Sequence, residues 1–115
     1  MQPPDFTTPT DRLERIALNE AMFREANERI AGWPEHRERE RFNILCECAD
    51  STCLDRIAAT GNEYEAVRRN AMRFLVLRGH EVDEAERVVE DHGHYLVVEK
   101  RENVRAIVEE TDPRS

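Results

Sequence analysis

The chain has no long apolar segment, almost no lysine, and no cysteine outside one short stretch. No run approaches the roughly 20 apolar residues that a membrane-spanning helix needs, and the opening residues MQPPDFTTPTDR contain no apolar core of a signal peptide. We therefore expect a cytoplasmic protein with no membrane partner. A chain of 115 residues is long enough for one domain with its own core, without disulfide staples.

A net positive charge is also missing, because acidic residues outnumber basic ones. The formal net charge is −8, Lys100 is the only lysine, and the acidic residues are spread along the chain instead of forming a tail. Such a chain offers no broad cationic surface that could neutralise phosphates. We therefore expect no nucleic acid as a partner.

Common catalytic motifs are missing as well. There is no glycine-rich phosphate loop, no Gly-x-Ser-x-Gly elbow and no His-Glu-x-x-His helix. The zinc deaminase pattern is absent because no proline precedes the cysteines and their spacing differs. Enzymatic activity is not the expected function, although a cysteine nucleophile assisted by His80 stays formally open.

Sulfur, by contrast, is concentrated at one point. Cys46, Cys48 and Cys53 all lie in the segment FNILCECADSTC, and this odd number of closely spaced cysteines is a poor disulfide framework. Thiolates favour zinc, and structural zinc sites usually have four cysteine or histidine ligands. His80 follows a glycine in the turn RGHE, so its backbone can approach another element closely. We predict a Zn²⁺ site formed by Cys46, Cys48, Cys53 and His80.

Several alternatives to this site remain open. His92, His94 or a water molecule could supply the fourth ligand, or the thiols could be inert and partly buried. The main functional alternative is a metal-free thiol redox sensor. In that case Cys53, placed in the first turn of a predicted helix, would be acidic and easily oxidised, and Cys46 or Cys48 would resolve it.

A long amphipathic helix is predicted at residues 9–31, with Thr8 as its cap and Pro9 in the first turn. Its apolar residues recur at spacings of three, four and seven and form one stripe. The members of this stripe are Leu13, Ile16, Phe23, Ala26 and Ile30. The stripe either packs on the protein's own sheet or binds another chain, so the expected partner is an unidentified protein or a second copy of this chain.

The remaining elements predict an α+β domain with a mostly antiparallel sheet, in the order α-β-α-α-β-β-β-α. Asn62 and Glu65 have the spacing of a capping box for the third helix. The predicted elements after the long helix are a strand at 42–46, a short helix starting at Asp50 or Ser51 and carrying Leu54, Ile57 and Ala58, a helix from Asn62, a strand at 74–77, a hairpin of 86–92 and 94–100 around Gly93, and a helix at 103–110.

Five segments follow from these elements. They are a tail at 1–8, the amphipathic helix segment at 9–34, a charged connector at 35–41, a compact α+β domain at 42–112, and a tail at 113–115. The connector EHRERER alternates in charge and cannot be buried, which makes His36 a weak candidate for any site.

The pattern of phenylalanine before Cys-Glu-Cys, a later cysteine, Glu-Tyr-Glu before an arginine, and Gly-His-Glu resembles a family of small, uncharacterised actinobacterial proteins. The resemblance covers residues 42–114 and rests on Cys46, Cys48, Cys53, Glu63, Tyr64, Arg68, Gly79, His80 and Glu81. It implies that the three cysteines and the histidine form one site, and it implies no particular reaction. The preferred hypothesis is a zinc site that stabilises a regulatory or protein-interaction module.

Overall fold

A long helix followed by two small antiparallel sheets and short helices makes up the fold, which confirms the predicted α+β class. The computed structural model describes residues 9–32 and 40–114. The elements are α1 (Pro9–Ala31), β1 (Arg41–Leu45), β2 (Arg56–Thr60), α2 (Gly61–Arg68), β3 (Arg73–Leu77), β4 (Glu86–Asp91), β5 (Tyr95–Lys100), a 3-10 turn (Glu102–Val104) and α3 (Arg105–Glu110).

The five strands form two separate sheets. Strands β1 and β2 pair with each other, and β5 lies between β3 and β4 in the second sheet. The central strand β5 is almost wholly buried and the edge strand β4 is mostly exposed. The other edge strand, β3, is buried at its three central residues, so this sheet is covered unevenly. The predicted strand at 74–77, the hairpin around Gly93 and the closing helix are all present.

Helix α1 covers the core with its predicted apolar stripe. Ile16 and Phe23 are buried, and Leu13 and Ile30 pack against the same core. Arg24 is also buried, and its guanidinium donates hydrogen bonds to the carbonyls of Ala71 (2.6 Å) and Val108 (3.1 Å). The stripe therefore packs on the protein's own core.

The predicted helix after Asp50 is wrong. Residues 46–55 form a loop, and the segment that carries Ile57 is strand β2. Ile57 and Ala59 alternate inward and lie opposite Ile44 and Phe42 of β1. Pairing with β1 buries every second residue of this segment. The free energy gained from this pairing outweighs the weak helical preference indicated by the spacing of Leu54, Ile57 and Ala58. The observed order is α-β-β-α-β-β-β-α.

The predicted capping box of the next helix is displaced by two residues. Thr60, not Asn62, is the N-cap of α2: its hydroxyl accepts a hydrogen bond from the Glu63 backbone N–H, and the Glu63 carboxylate accepts one from the Thr60 N–H. Gly61 is consequently the first helical residue. Thr60 ends β2, so the strand and the helix cap share one residue.

Some predictions fall outside the described residues. These are the tail at 1–8 with the Thr8 cap, residues 33–34 of the amphipathic segment, and residues 35–39 of the connector with His36. Arg41, at the end of the predicted connector, already belongs to β1. Among the helices that the structure describes, none combines the length and the apolar character needed to cross a bilayer.

A buried charge cluster joins α1 to the second sheet. The ammonium of Lys100 contacts the carboxylates of both Glu20 and Glu86, and all three side chains are fully buried. Burial raises the pKa of Glu20, and the nearby Lys100 charge opposes that rise. The cluster ties the middle of α1 to β4 and β5 through one cation, so its two carboxylates depend on Lys100 for compensation.

We expect Lys100→Met to lower the free energy of unfolding at pH 7 by about 3–5 kcal/mol, because it leaves two buried carboxylates without a cation. A carboxyl whose pKa is raised on folding contributes stability that is present below its unfolded pKa and is lost as the pH rises. Since the pKa of Glu20 is raised, the loss of unfolding free energy in Lys100→Met should be smaller at pH 5 than at pH 7. Urea unfolding at both pH values measures this.

Arg87→Met is the matched control for this experiment. Arg87 also pairs with a glutamate, Glu99, but its own side chain is 65% exposed. Exposed ion pairs contribute less than about 1 kcal/mol, so we expect a small effect with little pH dependence. Equal losses in the two variants would contradict the role assigned to the buried cluster.

Candidate metal centre

The three cysteines lie on the loop that connects β1 to β2. A hydrogen bond from the Cys46 N–H to the Asp55 carbonyl (3.0 Å) closes the base of this loop. Within it, the Asp50 carboxylate accepts hydrogen bonds from the backbone and hydroxyl of Thr52, and the Cys53 N–H donates to the Asp50 carbonyl. These bonds turn the chain back on itself, so that Cys53 returns toward Cys46.

His80 reaches the same place from the other sheet. Strand β3 ends at Leu77, and the His80 N–H donates to the Leu77 carbonyl (2.9 Å) across a tight turn. Gly79 in this turn has φ 94°, a conformation that favours glycine. The turn places His80 Nδ1 at 3.5 Å from the Cys46 sulfur and 3.8 Å from the Cys53 sulfur.

Cys46, Cys48, Cys53 and His80 therefore lie together and could bind a metal ion. Their four donor atoms are all within 4.8 Å of one another, and the described residues contain no second group of this kind. In a tetrahedral zinc site, Zn–S bonds of about 2.3 Å and Zn–N bonds of about 2.0–2.1 Å place neighbouring donors roughly 3.6–3.8 Å apart. The two measured sulfur–nitrogen distances match that separation.

The site is closed to solvent on the sulfur side. Cys46, Cys48 and Cys53 are 0%, 2% and 8% exposed, and no disulfide joins them. The His80 side chain is 32% exposed, and its Nε2 lies 3.9 Å from the Asp55 carboxylate. Four protein donors with little solvent access are typical of a structural metal site, because a catalytic site keeps one position open.

The Cys46 sulfur also accepts a hydrogen bond from the backbone. The Leu77 N–H donates to Cys46 Sγ at 3.2 Å. Hydrogen bonds to sulfur stabilise the thiolate form, which is the form that binds metal.

The three thiols differ in acidity. Hydrogen bonding from Cys46 lowers the pKa of Cys48 to about 5, and His80 and the backbone of Asp50 act in the same direction. The same Cys46–Cys48 contact, together with burial, raises the pKa of Cys46, and burial raises the pKa of Cys53. The expectation that Cys53 is the acidic thiol is therefore wrong, because the helix that was to stabilise its thiolate does not form.

Glu47, between the first two cysteines, anchors the loop to the core. It points away from the sulfurs and is fully buried. One carboxylate oxygen accepts a hydrogen bond from the Leu75 N–H (3.0 Å), and the other accepts one from the Asn27 side chain (2.9 Å). The Glu47 N–H donates in turn to the Leu75 carbonyl (2.8 Å). Glu47 therefore fixes the Cys-Glu-Cys segment beside β3.

Asn27 of α1 holds the start of the same segment. Its amide accepts from the Leu45 N–H (2.7 Å) and donates to the Leu45 carbonyl (2.8 Å). Sequence reasoning missed these roles of Asn27 and Glu47. The available signal was the position of Asn27 beside the apolar stripe of α1. A side-chain amide that is buried there needs hydrogen-bond partners from another element.

Other candidate residues lie elsewhere. His92 contacts Glu90 and stacks on Tyr95, and His94 lies near the Ala58 carbonyl, so neither joins the cysteines. Tyr64 and Arg68 are buried in a network with two acidic residues, Glu28 and Asp112. That network joins α1, α2 and the C-terminal segment, which makes it structural.

Comparison of the chain with protein-family models, with curated proteins and with solved structures found no match. The interpretation of the site therefore rests on its own geometry and chemistry.

We expect Cys48 to be the most reactive thiol of the metal-free protein. Its pKa of about 5 keeps it ionised at neutral pH, whereas the pKa values of Cys46 and Cys53 are raised. Because the thiolate is the nucleophile, the alkylation rate of Cys48 should rise through pH 5 and then level off. Iodoacetamide labelling followed by peptide mass spectrometry measures this. Preferential labelling of Cys53 at pH 7 would contradict the assignment.

Proposed function

We propose that this chain is a small zinc-binding protein in which Cys46, Cys48, Cys53 and His80 hold one Zn²⁺ ion. The observation that carries the proposal is the convergence of three sulfurs and one imidazole nitrogen within 4.8 Å of one another. The Leu77 N–H also donates to Cys46 Sγ at 3.2 Å, and a hydrogen bond to sulfur favours the thiolate form that binds metal.

The donor set favours zinc over other biological metals. Three thiolates and a neutral imidazole are soft or borderline ligands, whereas Mg²⁺ and Ca²⁺ prefer oxygen. Three thiolates carry a charge of −3, which a divalent cation reduces to −1. Without a cation, the sulfurs cannot all be ionised at such short distances, and this agrees with the raised pKa values of Cys46 and Cys53 beside the acidic Cys48.

The proposed role of the ion is structural. The cysteines belong to the β1–β2 loop and His80 follows β3, so one ion would link the two sheets. The exposed carboxylate of Asp55 near His80 Nε2 would orient the imidazole. We propose that this link stabilises a cytoplasmic regulatory or protein-interaction module and that the protein has no catalytic reaction of its own.

Protein purified without chelator should contain one zinc ion per chain, with three thiols protected from alkylation until the metal is removed. His80→Ala should weaken zinc binding by more than the roughly 10–100-fold typical of changes outside the ligand shell. Elemental analysis and competition with a chromogenic chelator measure the two quantities. Replacing zinc by cobalt should give the strong sulfur-to-metal charge-transfer absorption of a thiolate site.

His94→Ala is the matched control, because His94 is an exposed histidine outside the group. It should retain zinc with unchanged affinity. Unchanged retention in His80→Ala would remove His80 from the site. Metal-free protein with all three thiols reactive would reject the zinc proposal as a whole.

A second function, a thiol redox sensor, is favoured by one observation: the low pKa of Cys48 beside two other sulfurs. In that case peroxide would oxidise Cys48 to the sulfenic acid, and the thiol of Cys46 or Cys53 would displace water and form a disulfide. The mass of metal-free protein would then fall by two hydrogens after mild peroxide treatment. Zinc-loaded protein that resists this treatment would favour the first function.

A further inference from the structure

A surface groove leads to the candidate metal centre. It lies between the first turns of α1, the loop that carries the cysteines and the turn that carries His80, and its volume is about 490 Å³. Cys48 and His80, two of the four potential ligands, line this groove, whereas Cys46 and Cys53 are not among the described residues of its walls. The groove therefore reaches the donor group from one side.

The two sulfurs that do not line the groove are covered by other protein groups. Cys46 is 0% exposed, and its sulfur lies 3.2 Å from the Leu77 nitrogen and 3.5 Å from His80 Nδ1. The Cys53 sulfur lies 3.8 Å from a carboxylate oxygen of Asp55. An ion that reaches these donors needs a path with free space, and the groove supplies one.

The groove carries more negative than positive charge. Asp50 and Glu81 both line it, and each carboxylate accepts a hydrogen bond from a neutral backbone N–H group, which leaves its charge in place. Arg12 also lines the groove, but its guanidinium pairs with the Glu84 carboxylate at 2.7 Å. A negative field in a narrow space raises the local concentration of cations and speeds their entry.

The size of the groove suits an ion that still carries water. A water molecule takes up about 30 Å³ in the liquid, so this groove has room for a divalent cation with its bound waters. The side chains of Ile16, Ala49 and Val82 add apolar surface to the walls and offer no ligand atoms. The ion therefore keeps its waters until Cys48 and His80 replace them.

His80 is the potential ligand with the most freedom to move. Its backbone is held in the turn, because its N–H donates to the Leu77 carbonyl and the Glu81 carboxylate accepts from the Gly79 N–H (2.7 Å). Its side chain, however, is 32% exposed and borders the groove. The ring can therefore rotate toward the groove while the fold around it stays closed.

We propose that this groove is the route by which zinc enters and leaves the site, with Cys48 as the first sulfur that the ion meets and His80 as the ligand that closes behind it. The route concerns the same ion and therefore rests on the proposed function. It adds that metal exchange takes place in the folded protein. An ion in a fully sealed site would instead leave only when the chain unfolds.

Narrowing the groove tests this route. Ala49→Phe and Val82→Phe each place an aromatic ring in it, one from the cysteine loop and one from the segment after His80. Asn19 holds Ala49 through its backbone carbonyl, so that hydrogen bond is kept in the variant. A narrower route raises the barriers to entry and to exit equally. We expect the association and dissociation rates of the metal to fall together, each at least about tenfold, with Kd unchanged.

Leu54→Phe is the matched control. Leu54 lies next to Cys53, is 74% exposed and is not among the described residues that line the groove. This variant should exchange metal at the wild-type rates. The probe is Co²⁺, whose thiolate charge-transfer absorption reports bound metal. Stopped-flow mixing of metal-free full-length protein with Co²⁺ measures association, and excess chelator added to the loaded protein measures dissociation. Circular dichroism of every variant checks the fold.

Three results would overturn the route. Rates that are unchanged in Ala49→Phe and Val82→Phe would show that metal does not pass through the groove. Equal slowing in Leu54→Phe would place the path beside Cys53. Faster dissociation with a higher Kd would show that the added ring disturbs the ligands and does not block a path. Failure of the zinc proposal itself is distinct, because the wild-type chain would then bind neither Zn²⁺ nor Co²⁺ at equilibrium.

Discussion

The structure depends most on the convergence of four donor atoms from two sheets. Three sulfurs from the β1–β2 loop and one imidazole nitrogen that follows β3 lie within 4.8 Å of one another, and no disulfide joins the sulfurs. The Leu77 N–H, which donates to Cys46 Sγ, favours a thiolate at that position. A divalent cation would neutralise most of the charge of three thiolates. Bound by all four residues, it would link the two sheets.

Hydrogen bonds between protein groups hold the cysteine loop in place. In the Cys-Glu-Cys segment the two sulfurs face the site, while Glu47 between them points to the core and bonds with Leu75 and Asn27. Asn27 holds the preceding residue, Leu45, through both of its backbone groups. Helix α1 therefore supports the loop from one side, and β3 supports it from the other. Such support outside the ligand shell orients donors and reduces the entropy lost when a metal binds.

The sequence predicted the α+β class and which four potential ligands lie close together. The cysteines could be grouped because they are close along the chain, and His80 could be added because Gly79 permits a tight turn beside a strand. Helix α1, strand β3 and the hairpin around Gly93 carry strong local periodicity or turn signals, and all were found. The antiparallel character of the sheets followed from the hairpin and the short connections.

What could not be predicted depends on contacts between residues that are distant along the chain. Ile57 and Ala58 are compatible with a helix until β1 lies beside them and makes a strand more favourable. The acidity of the thiols was assigned wrongly for the same reason, since it follows from the loop geometry and not from a helix end. The Lys100 cluster joins residues 20, 86 and 100, and no local pattern in the sequence indicates that three charged side chains will share one buried space.

Zinc-edge X-ray absorption on protein purified without chelator is the most direct test of the central claim. We expect one zinc ion per chain, with about three sulfur ligands near 2.3 Å and one nitrogen ligand near 2.0–2.1 Å. A spectrum with only nitrogen and oxygen neighbours, or a preparation that contains no zinc and does not take it up when zinc is added, would contradict it.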